Sequence, residues 1–389
     1  MKILFILLII IILYTYIGYG ILLWIIVKIK EALFKRVPFP KVTDLPEVSL
    51  LIAAYNEEDI VGDKMQNCSA LNYPADKLHI VWVTDGSNDK TNELLSAYPN
   101  VEVLFQPSRK GKTAAINRAV PLIKTPITIF TDANTMLNRD AIIEIVTLFN
   151  NPDVGCVAGE KRILMDEKAN SNSVGEGLYW KYESKLKELD SRLYSVVGAA
   201  GELFAIRTKL YFQMPEDTLL DDFILSLSIA EQGYRTAYCA DAYAIETGSA
   251  DIHEEEKRKI RIAAGGIQSM MRLLPLLNIF KYGVLSFQYI SHRLLRWTIT
   301  PFALFLLIPV NIWLVAKGTM TPFSWLTLLV QLLFYMCAII GYILSKKGIK
   351  NKLFYTPYYF LFMNINVFRG FNYLRKRKGS GAWEKAKRS

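Results

Sequence analysis

Val48-Ser49-Leu50-Leu51-Ile52-Ala53-Ala54-Tyr55-Asn56-Glu57-Glu58 decides the fold. A short apolar run breaks off into a polar cluster. A strand apolar on both faces is buried on both faces, as in a parallel sheet covered by helices. The pattern recurs. Leu78 to Thr84 ends in Asp85-Gly86-Ser87-Asn88-Asp89, and Ile127 to Thr131 ends in Asp132-Ala133-Asn134. Val101 to Phe105 and Val154 to Ala158 read as further strands, Thr113 to Val120 and Asp140 to Phe149 as helices. Another helix starts after Glu58, and Asp89 is placed to cap one near Lys90. Strands alternating with helices predict an α/β domain with a mostly parallel sheet.

In open α/β sheets, ligands sit at the carboxyl ends of the strands. One acidic strand end is usually a turn or a helix cap. Three of them, around Tyr55-Asn56-Glu57, Asp85 and Asp132, point to one shared cleft. The Asp-x-Asn pair supplies hard oxygen ligands, suited to a Mg²⁺ or Mn²⁺ ion that bridges to phosphates. Arg109-Lys110-Gly111-Lys112-Thr113 adds cations at a helix start, where a diphosphate binds well. It is not a P-loop, because Gln106 stands where that motif needs glycine. Asp221 and Asp222 precede the apolar helix Ile224 to Ala230. Adjacent carboxylates there serve as a helix cap or as a general base.

Outside this region the chain changes character. It has 389 residues, 52% hydrophobic and 21% charged, with a net charge of +10. That apolar fraction excludes a disordered chain. The basic residues gather beside apolar runs, as at a membrane surface, rather than in the stripes of a nucleic-acid reader. Met1 to Val27 is long enough to cross a bilayer and lacks a signal-peptide cleavage pattern. Lys28, Lys30, Lys35, Arg36 and Lys41 follow it and place the next segment in the cytoplasm. Trp297 to Ala316 and Phe323 to Leu344 form a second apolar region, read as a hairpin of spans with Lys346, Lys347, Lys350 and Lys352 beyond it. Leu353 to Phe371 has basic residues at both ends, including Arg375, Lys376, Arg377 and Lys378, and reads as a third C-terminal span, with a re-entrant or interfacial helix as the alternative. Gly265 to Arg296 is too interrupted to span and reads as interfacial amphipathic helices, with an ordinary core helix as the alternative. The expected layout is a membrane helix over 1–27, a cytoplasmic domain over 46–264, interfacial helices over 265–296, membrane helices over 297–371 and a basic tail over 372–389. Cys68, Cys156, Cys239 and Cys337 are scattered, which excludes a disulfide framework and fits a reducing compartment. His79, His253 and His292 form no metal cluster and read as structural.

Six motifs in order carry a resemblance. They are Ala53-Ala54-Tyr55-Asn56-Glu57-Glu58, Thr84-Asp85-Gly86-Ser87-Asn88-Asp89, Lys110-Gly111-Lys112, Thr131-Asp132-Ala133-Asn134-Thr135, Leu220-Asp221-Asp222 and Arg258-Lys259-Ile260-Arg261-Ile262. Together, over residues 47–272, they resemble family 2 glycosyltransferases of the membrane-integrated branch, which includes cellulose, chitin, hyaluronan and bacterial poly-N-acetylglucosamine synthases. The resemblance implies a Rossmann-like GT-A nucleotide-sugar domain, here with N-terminal and C-terminal transmembrane helices. It implies an inverting transfer from a nucleotide-diphosphate sugar, UDP-linked, to a glycan or lipid-linked acceptor, with Mg²⁺ or Mn²⁺ and no nucleic acid. Ala54, Tyr55 and Glu57 would line the uridine pocket, and Asp85 would contact the base and ribose. Asp132 and Asn134 match the metal motif, with a carboxamide in place of its second carboxylate. Asp222 matches the catalytic base, with Asp221 beside it, and Gly201-Glu202 belongs to the loop at the acceptor site.

The largest departure lies in the Gln-x-x-Arg-Trp motif of processive synthases. Arg258 replaces its Gln and Ile262 its Trp, while Arg261 is kept and can join Lys112 and Arg258 at the diphosphate. A second match, Arg293-Leu294-Leu295-Arg296-Trp297, reads as an interfacial anchor at the start of a span. Processive synthesis and a catalytically silent nucleotide-binding membrane subunit stand as the alternatives.

Overall fold

The computed structural model describes residues 1–34, 44–164, 171–247, 252–347, 349 and 351–376; for 164, 171–179 and 252 only the backbone course is described. The expected basic flank at Lys35, Arg36 and Lys41, together with Lys350 and residues 377–389 of the tail, lies outside the described residues.

Eight strands build one sheet. They are β1 (Val48–Ala54), β2 (Leu78–Asp85), β3 (Val101–Gln106), β4 (Ile127–Asp132), β5 (Met136–Leu137), β6 (Val154–Leu164), β7 (Leu203–Arg207) and β8 (Arg235–Thr247). Their order is β3-β2-β1-β4-β7-β6-β8-β5. The first four are parallel, as alternating strands and helices require. From β7 onward the expected parallel arrangement gives way to a mixed sheet. β7 runs antiparallel to both β4 and β6, and β5 antiparallel to β8. That reversal matters for the site, because it brings the start of β7, not its end, beside the end of β4.

Period-two alternation divides the core between the two faces. Leu50, Ile52, Trp82 and Ile129 pack on one face with Ile142 and Ile145. Leu51, Val81, Val83 and Phe130 pack on the other with Ala115, Ile116, Phe223 and Leu227. Each fully buried large apolar side chain contributes about 1.5–3 kcal/mol, so both faces of the sheet are well supported.

Among the described residues, three helices are long and apolar enough to cross a membrane: Lys2–Leu33, Ile299–Ala316 and Phe323–Lys346. The first has two halves. Phe5 and Leu8 pack on Ala303, Leu307, Val310 and Leu314. Beyond a π-turn at Tyr14–Gly18, Tyr19, Leu23 and Val27 pack instead on Leu186 and Leu189 of the Ser171–Leu193 helix. The N-terminal helix therefore packs on the apolar Ile299–Ala316 helix with its first half and on the Ser171–Leu193 helix with its second. Thr15 and Thr300, with Oγ1 atoms 2.9 Å apart, mark the changeover.

Lys352–Lys376 is not among the three spanning helices. It lies along Ile252–Arg272, with Gly370 backed onto Ala263 and Arg369 paired with Glu256. Buried Asn364 and Asn366 lower its apolar character, and it also packs along the apolar Phe323–Lys346 helix, where Gly341 backs onto the Phe354 carbonyl.

In the 265–296 segment, the expected boundary after residue 264 falls inside a helix. Ile252–Arg272 runs unbroken through Gly265 and Gly266, and short turns follow. Met270, Leu273, Leu276, Leu285 and Tyr289 are buried in the sheet's second core. Met271, Leu274, Ile279, Phe280 and Val284 are exposed, Phe280 almost completely. One face is core and the other is an apolar surface of the kind that lies on a bilayer.

Candidate active site

Strand register brings the polar clusters together. Ala53 pairs with Asp132 and Ala54 with Thr84, so β1, β2 and β4 end at one level. On β7, Leu203 pairs with Thr131, which sets Gly201 and Glu202 beside Asp132.

Lys112 opens the Lys112–Ala119 helix and bridges the cluster. Its Nζ donates to Asp132 Oδ1 at 2.7 Å and lies 3.8 Å from Asp221 Oδ2. Burial works against its charge, but Asp132 and Asp221 outweigh burial and raise its pKa above the ordinary lysine value. A Cβ added at Gly201 would sit 3.4 Å from both Lys112 Nζ and Asp222 Oδ2. Lys112, Asp132, Asp221, Asp222 and Gly201 thus share one small volume.

Asp222 lies in the first turn of the Asp221–Glu231 helix, where its Oδ1 accepts from Phe223 N at 2.8 Å. Burial, then the charge of Asp221, push its carboxyl up to about 7, against the pull of Lys112. A carboxylate poised near neutrality is suited to take a proton from an incoming hydroxyl.

Asp85 has a different visible task. Its carboxylate accepts from Lys110 N at 3.0 and 3.1 Å and from Gly111 N at 2.6 Å, which ties the loop before Lys112 to β2. The turn needs its glycine. Gly86 has φ +72°, and a Cβ there would lie 2.8 Å from Arg109 N. Arg109 then stacks over Tyr55, 3.7 Å from the ring centre. The 55–58 and 87–91 loops are laced together: Asn56 N donates to Ser87 Oγ, Glu57 N to Thr91 Oγ1 and Glu58 N to Asp89 Oδ2. Ala54, Tyr55 and Glu57 accordingly stand on a braced wall at the strand ends.

The two arginines expected at a diphosphate have separate surroundings. Arg261 is partly buried, and Asp132, Asp221 and Asp222 act on it electrostatically; burial, then the like charge of Arg258, lower its pKa. Arg258 donates to Glu202 Oε1 and Glu246 Oε2, both at 3.3 Å. Lys161 pairs with the same two carboxylates. Burial opposes the charge on Glu202, but Lys161 and Arg258 hold its carboxyl below the usual range. Arg258 and Glu202 are therefore tied with Lys161 and Glu246 into a buried ion cluster that adjoins Gly201.

The reading of Arg293-Leu294-Leu295-Arg296-Trp297 as an interfacial anchor is overturned. Arg293 and Arg296 are buried and pair with Glu183. Arg293 Nε also donates to the carbonyl of Val197, just before the Gly198-Ala199-Ala200-Gly201 loop, at 3.0 Å. The Trp297 ring lies 5.2 Å from that of Phe223, next to Asp222. Two arginines this close to buried Glu183 of the Ser171–Leu193 helix find better partners inside the domain than at a headgroup. Gly266 makes room for Trp297, since a Cβ there would come within 2.3 Å of the ring. Gly266→Val is expected to destabilise the protein by about 1–3 kcal/mol and to lower activity through Phe223. Thermal unfolding in detergent checks this, and an unchanged midpoint would show that Trp297 is not held there.

Lys161, Glu183, Glu246 and Arg293 carry no motif of their own, and the Arg293–Trp297 match was the one sequence signal near any of them. Asp132 and Asn134 offer one carboxylate and one carboxamide. That sparse oxygen set fits Mg²⁺ or Mn²⁺, which keep several waters and bind diphosphate oxygens in addition. Among the described residues, no group of three or more His, Cys, Asp or Glu side chains could hold a metal on its own.

Comparison with known proteins gives the family and the fold. The chain is 26% identical over 258 residues to a poly-β-1,6-N-acetyl-D-glucosamine synthase of Staphylococcus aureus, matching 63% of this chain and 60% of that one. It thus spans well under two thirds of that relative's length. It is 34% identical over 125 residues to a β-monoglucosyldiacylglycerol synthase of Trichormus variabilis, covering 31% of this chain and 27% of the other. Its fold is similar to that of the mannosyltransferase PcManGT from Pyrobaculum calidifontis, solved with GDP-Man and Mn²⁺, with a TM-score of 0.72, 21% identity and coverage of 96% and 99%. Residues 46–265 match the domain described as glycosyltransferase-like family 2, and the chain belongs to that family.

Proposed function

We propose that the protein transfers a sugar from a nucleotide-diphosphate sugar, UDP-linked, to a glycan or lipid-linked acceptor, with inversion at the anomeric carbon. The acceptor hydroxyl attacks that carbon while its proton passes to Asp222, and the bond to the diphosphate breaks with the electron pair leaving on the diphosphate. Lys112 and Arg261 stand where they would neutralise that group, with Asp132 and Asn134 as holders of Mg²⁺ or Mn²⁺. Such an ion, when bound, offsets charge on the leaving diphosphate. Ala54, Tyr55 and Glu57 line the nucleotide side, and Asp85 acts by fixing the loop that carries Lys112. Gly201 gives the acceptor room beside Asp222. The domain over 46–264 faces the cytoplasm, where nucleotide sugars are, and the apolar helices hold it in the plasma membrane.

The observation that carries this reading is the cluster at the strand ends, where Lys112 Nζ donates to Asp132 Oδ1 at 2.7 Å and a Cβ at Gly201 would lie 3.4 Å from both Lys112 Nζ and Asp222 Oδ2. Nucleotide release from a panel of UDP- and GDP-sugars, with Mg²⁺ or Mn²⁺ and membranes as acceptor, tests it. Release from none of them would sink the proposal. Product length on a gel separates single addition from processive synthesis.

The pH dependence follows from the sign of the shift. A base works deprotonated, so kcat is expected to rise with pH through about 7 and then level off. A rate independent of pH between 5 and 9 (roughly two units either side of that value) would exclude Asp222 as the titrating base.

A further inference from the structure

Lys64, on the Val61–Ser69 helix, has no exposed surface. Its Nζ donates to Thr131 Oγ1 at 3.2 Å and to the carbonyl of Thr135 at 2.5 Å, the residues on either side of Asp132-Ala133-Asn134. One turn along the same helix, Asn67 Nδ2 donates to the carbonyl of Leu137 at 2.8 Å, and its Oδ1 accepts from Leu137 N at 2.9 Å. One helix face therefore grips the turn that carries Asp132 and Asn134. The bonds continue to the far side of the site. Thr131 Oγ1 lies 3.0 Å from the Glu202 carbonyl, and Thr135 Oγ1 2.9 Å from the Asp132 carbonyl. The two hydroxyl oxygens are 3.0 Å apart. A hydroxyl has one hydrogen, and an ammonium only donates. Lys64 therefore turns the Thr131 hydrogen away from itself, toward the Glu202 carbonyl and the Thr135 hydroxyl. Burial draws the Lys64 pKa down to about 8, and the ammonium still predominates at neutral pH. An apolar side chain would fill this core position without the cost of burying a charge.

We infer that Lys64 is a positioning residue that sets the Asp132-Ala133-Asn134 turn and the Gly201-Glu202 loop at a fixed separation, and through them the donor and the acceptor. The inference rests on the transferase reading above. Lys64 touches neither substrate and acts only through Thr131 and Thr135. Hydrogen bonds that orient a ligating carboxylate from behind are typically worth about 10–100-fold in metal affinity or activity. A misplacement of about 1 Å at the reacting atoms has a cost of similar size.

The test uses the full-length protein in detergent, each variant taken as its folded, monodisperse fraction. Binding of Mn²⁺ in the presence of UDP or GDP is followed by electron paramagnetic resonance, and kcat and donor KM by nucleotide release. Lys64→Met and Thr131→Val are each expected to weaken Mn²⁺ binding and to lower kcat by about 10–100-fold. The double variant is expected to be no worse than the weaker single one, because both changes break the same link. Thr131→Ser keeps the hydroxyl and restores both readouts. Folded Lys64→Met with the parent's binding and kcat would make Lys64 an ordinary core residue and overturn the proposal. So would losses that multiply in the double variant. If Lys64→Met does not fold, the threonine pair decides, and equal behaviour of Thr131→Val and Thr131→Ser overturns the proposal. Binding needs no turnover. Nucleotide release from no donor at all, with Mn²⁺ binding lost in the variants as expected, would sink the transferase reading and leave the role of Lys64 at the turn standing.

Discussion

Asp222→Asn is expected to lower kcat by about 10²–10⁴-fold, the usual contribution of a positioned base, while UDP still binds. Asparagine keeps the size of the side chain and, through its carbonyl oxygen, the bond from Phe223 N. It cannot take a proton at neutral pH. Removing this charge also relieves the repulsion between Asp221 and Asp222 that helps raise the Asp222 pKa. The variant should therefore be slightly more stable than the parent near neutral pH. The sign can be checked. A carboxyl whose pKa is raised in the folded state favours folding below its unfolded pKa, and that contribution is lost as pH climbs through about 7. Lost turnover, retained nucleotide binding and an unfolding midpoint at or above the parent's at pH 8 form a distinctive combination. Turnover within a few-fold of the parent would remove Asp222 from the mechanism. A collapse in stability would make it a structural residue.

Lys161→Met is expected to destabilise the protein by about 3–5 kcal/mol, the range for breaking a buried ion pair from one side. Glu202 and Glu246 would then lose Lys161 and keep Arg258, at 3.3 Å from each. For a domain of this size, that corresponds to a fall in melting temperature of roughly 6–20 °C. Glu246 lies fully buried, so water cannot replace the lost ammonium. Combining Lys161→Met with Glu246→Gln removes one charge of each sign and should recover part of the loss, as coupled neighbours do. Full additivity of the two changes would mean that the cluster is not a unit. Because Glu202 adjoins Gly201, a loosened cluster should also raise the acceptor KM more than the donor KM.

Much of the parallel half of the sheet was legible because local and global signals coincide there. Apolar runs such as Val48–Ala54 are buried on both faces, and each ends in residues unsuited to a strand. Asp132, Lys112 and Asp222 could be picked from sequence for the same reason: each follows a sharp change from apolar to polar. The later strands β7 and β8 carry no such change. Leu203–Arg207 runs straight into a polar turn, and Arg235–Thr247 mixes buried and half-buried positions along its length. Partner choice was less legible still. Arg258 looks like a phosphate ligand in a motif, and its pairing with Glu202 and Glu246, 56 and 12 positions away, could not be read from that motif. Arg293 and Trp297 look like membrane anchors because they precede an apolar helix. Only the packing of that helix against Gly266 and Phe223 shows where they go.

The divided N-terminal helix has a consequence for biosynthesis. Thr15 and Tyr16 leave the ribosome early, yet their partners Thr300 and Asn364 follow 285 and 348 residues later. At about 5–20 residues per second, Tyr16 waits roughly 17–70 s for Asn364. Tyr19, whose hydroxyl donates to Asp190 at 2.5 Å, waits for the middle of the chain. During that interval the helix must be kept at the membrane with its polar side chains unmatched, under the care of the insertion machinery. The domain cannot close around it until the last helices arrive. A generic hydrophobic anchor grafted in its place would insert as readily, but would leave Asp190 and His292, buried together with Nδ1 and Oδ2 2.5 Å apart, without the hydroxyl that completes their set. The yield of folded protein from such a chimera should fall even though its membrane insertion does not.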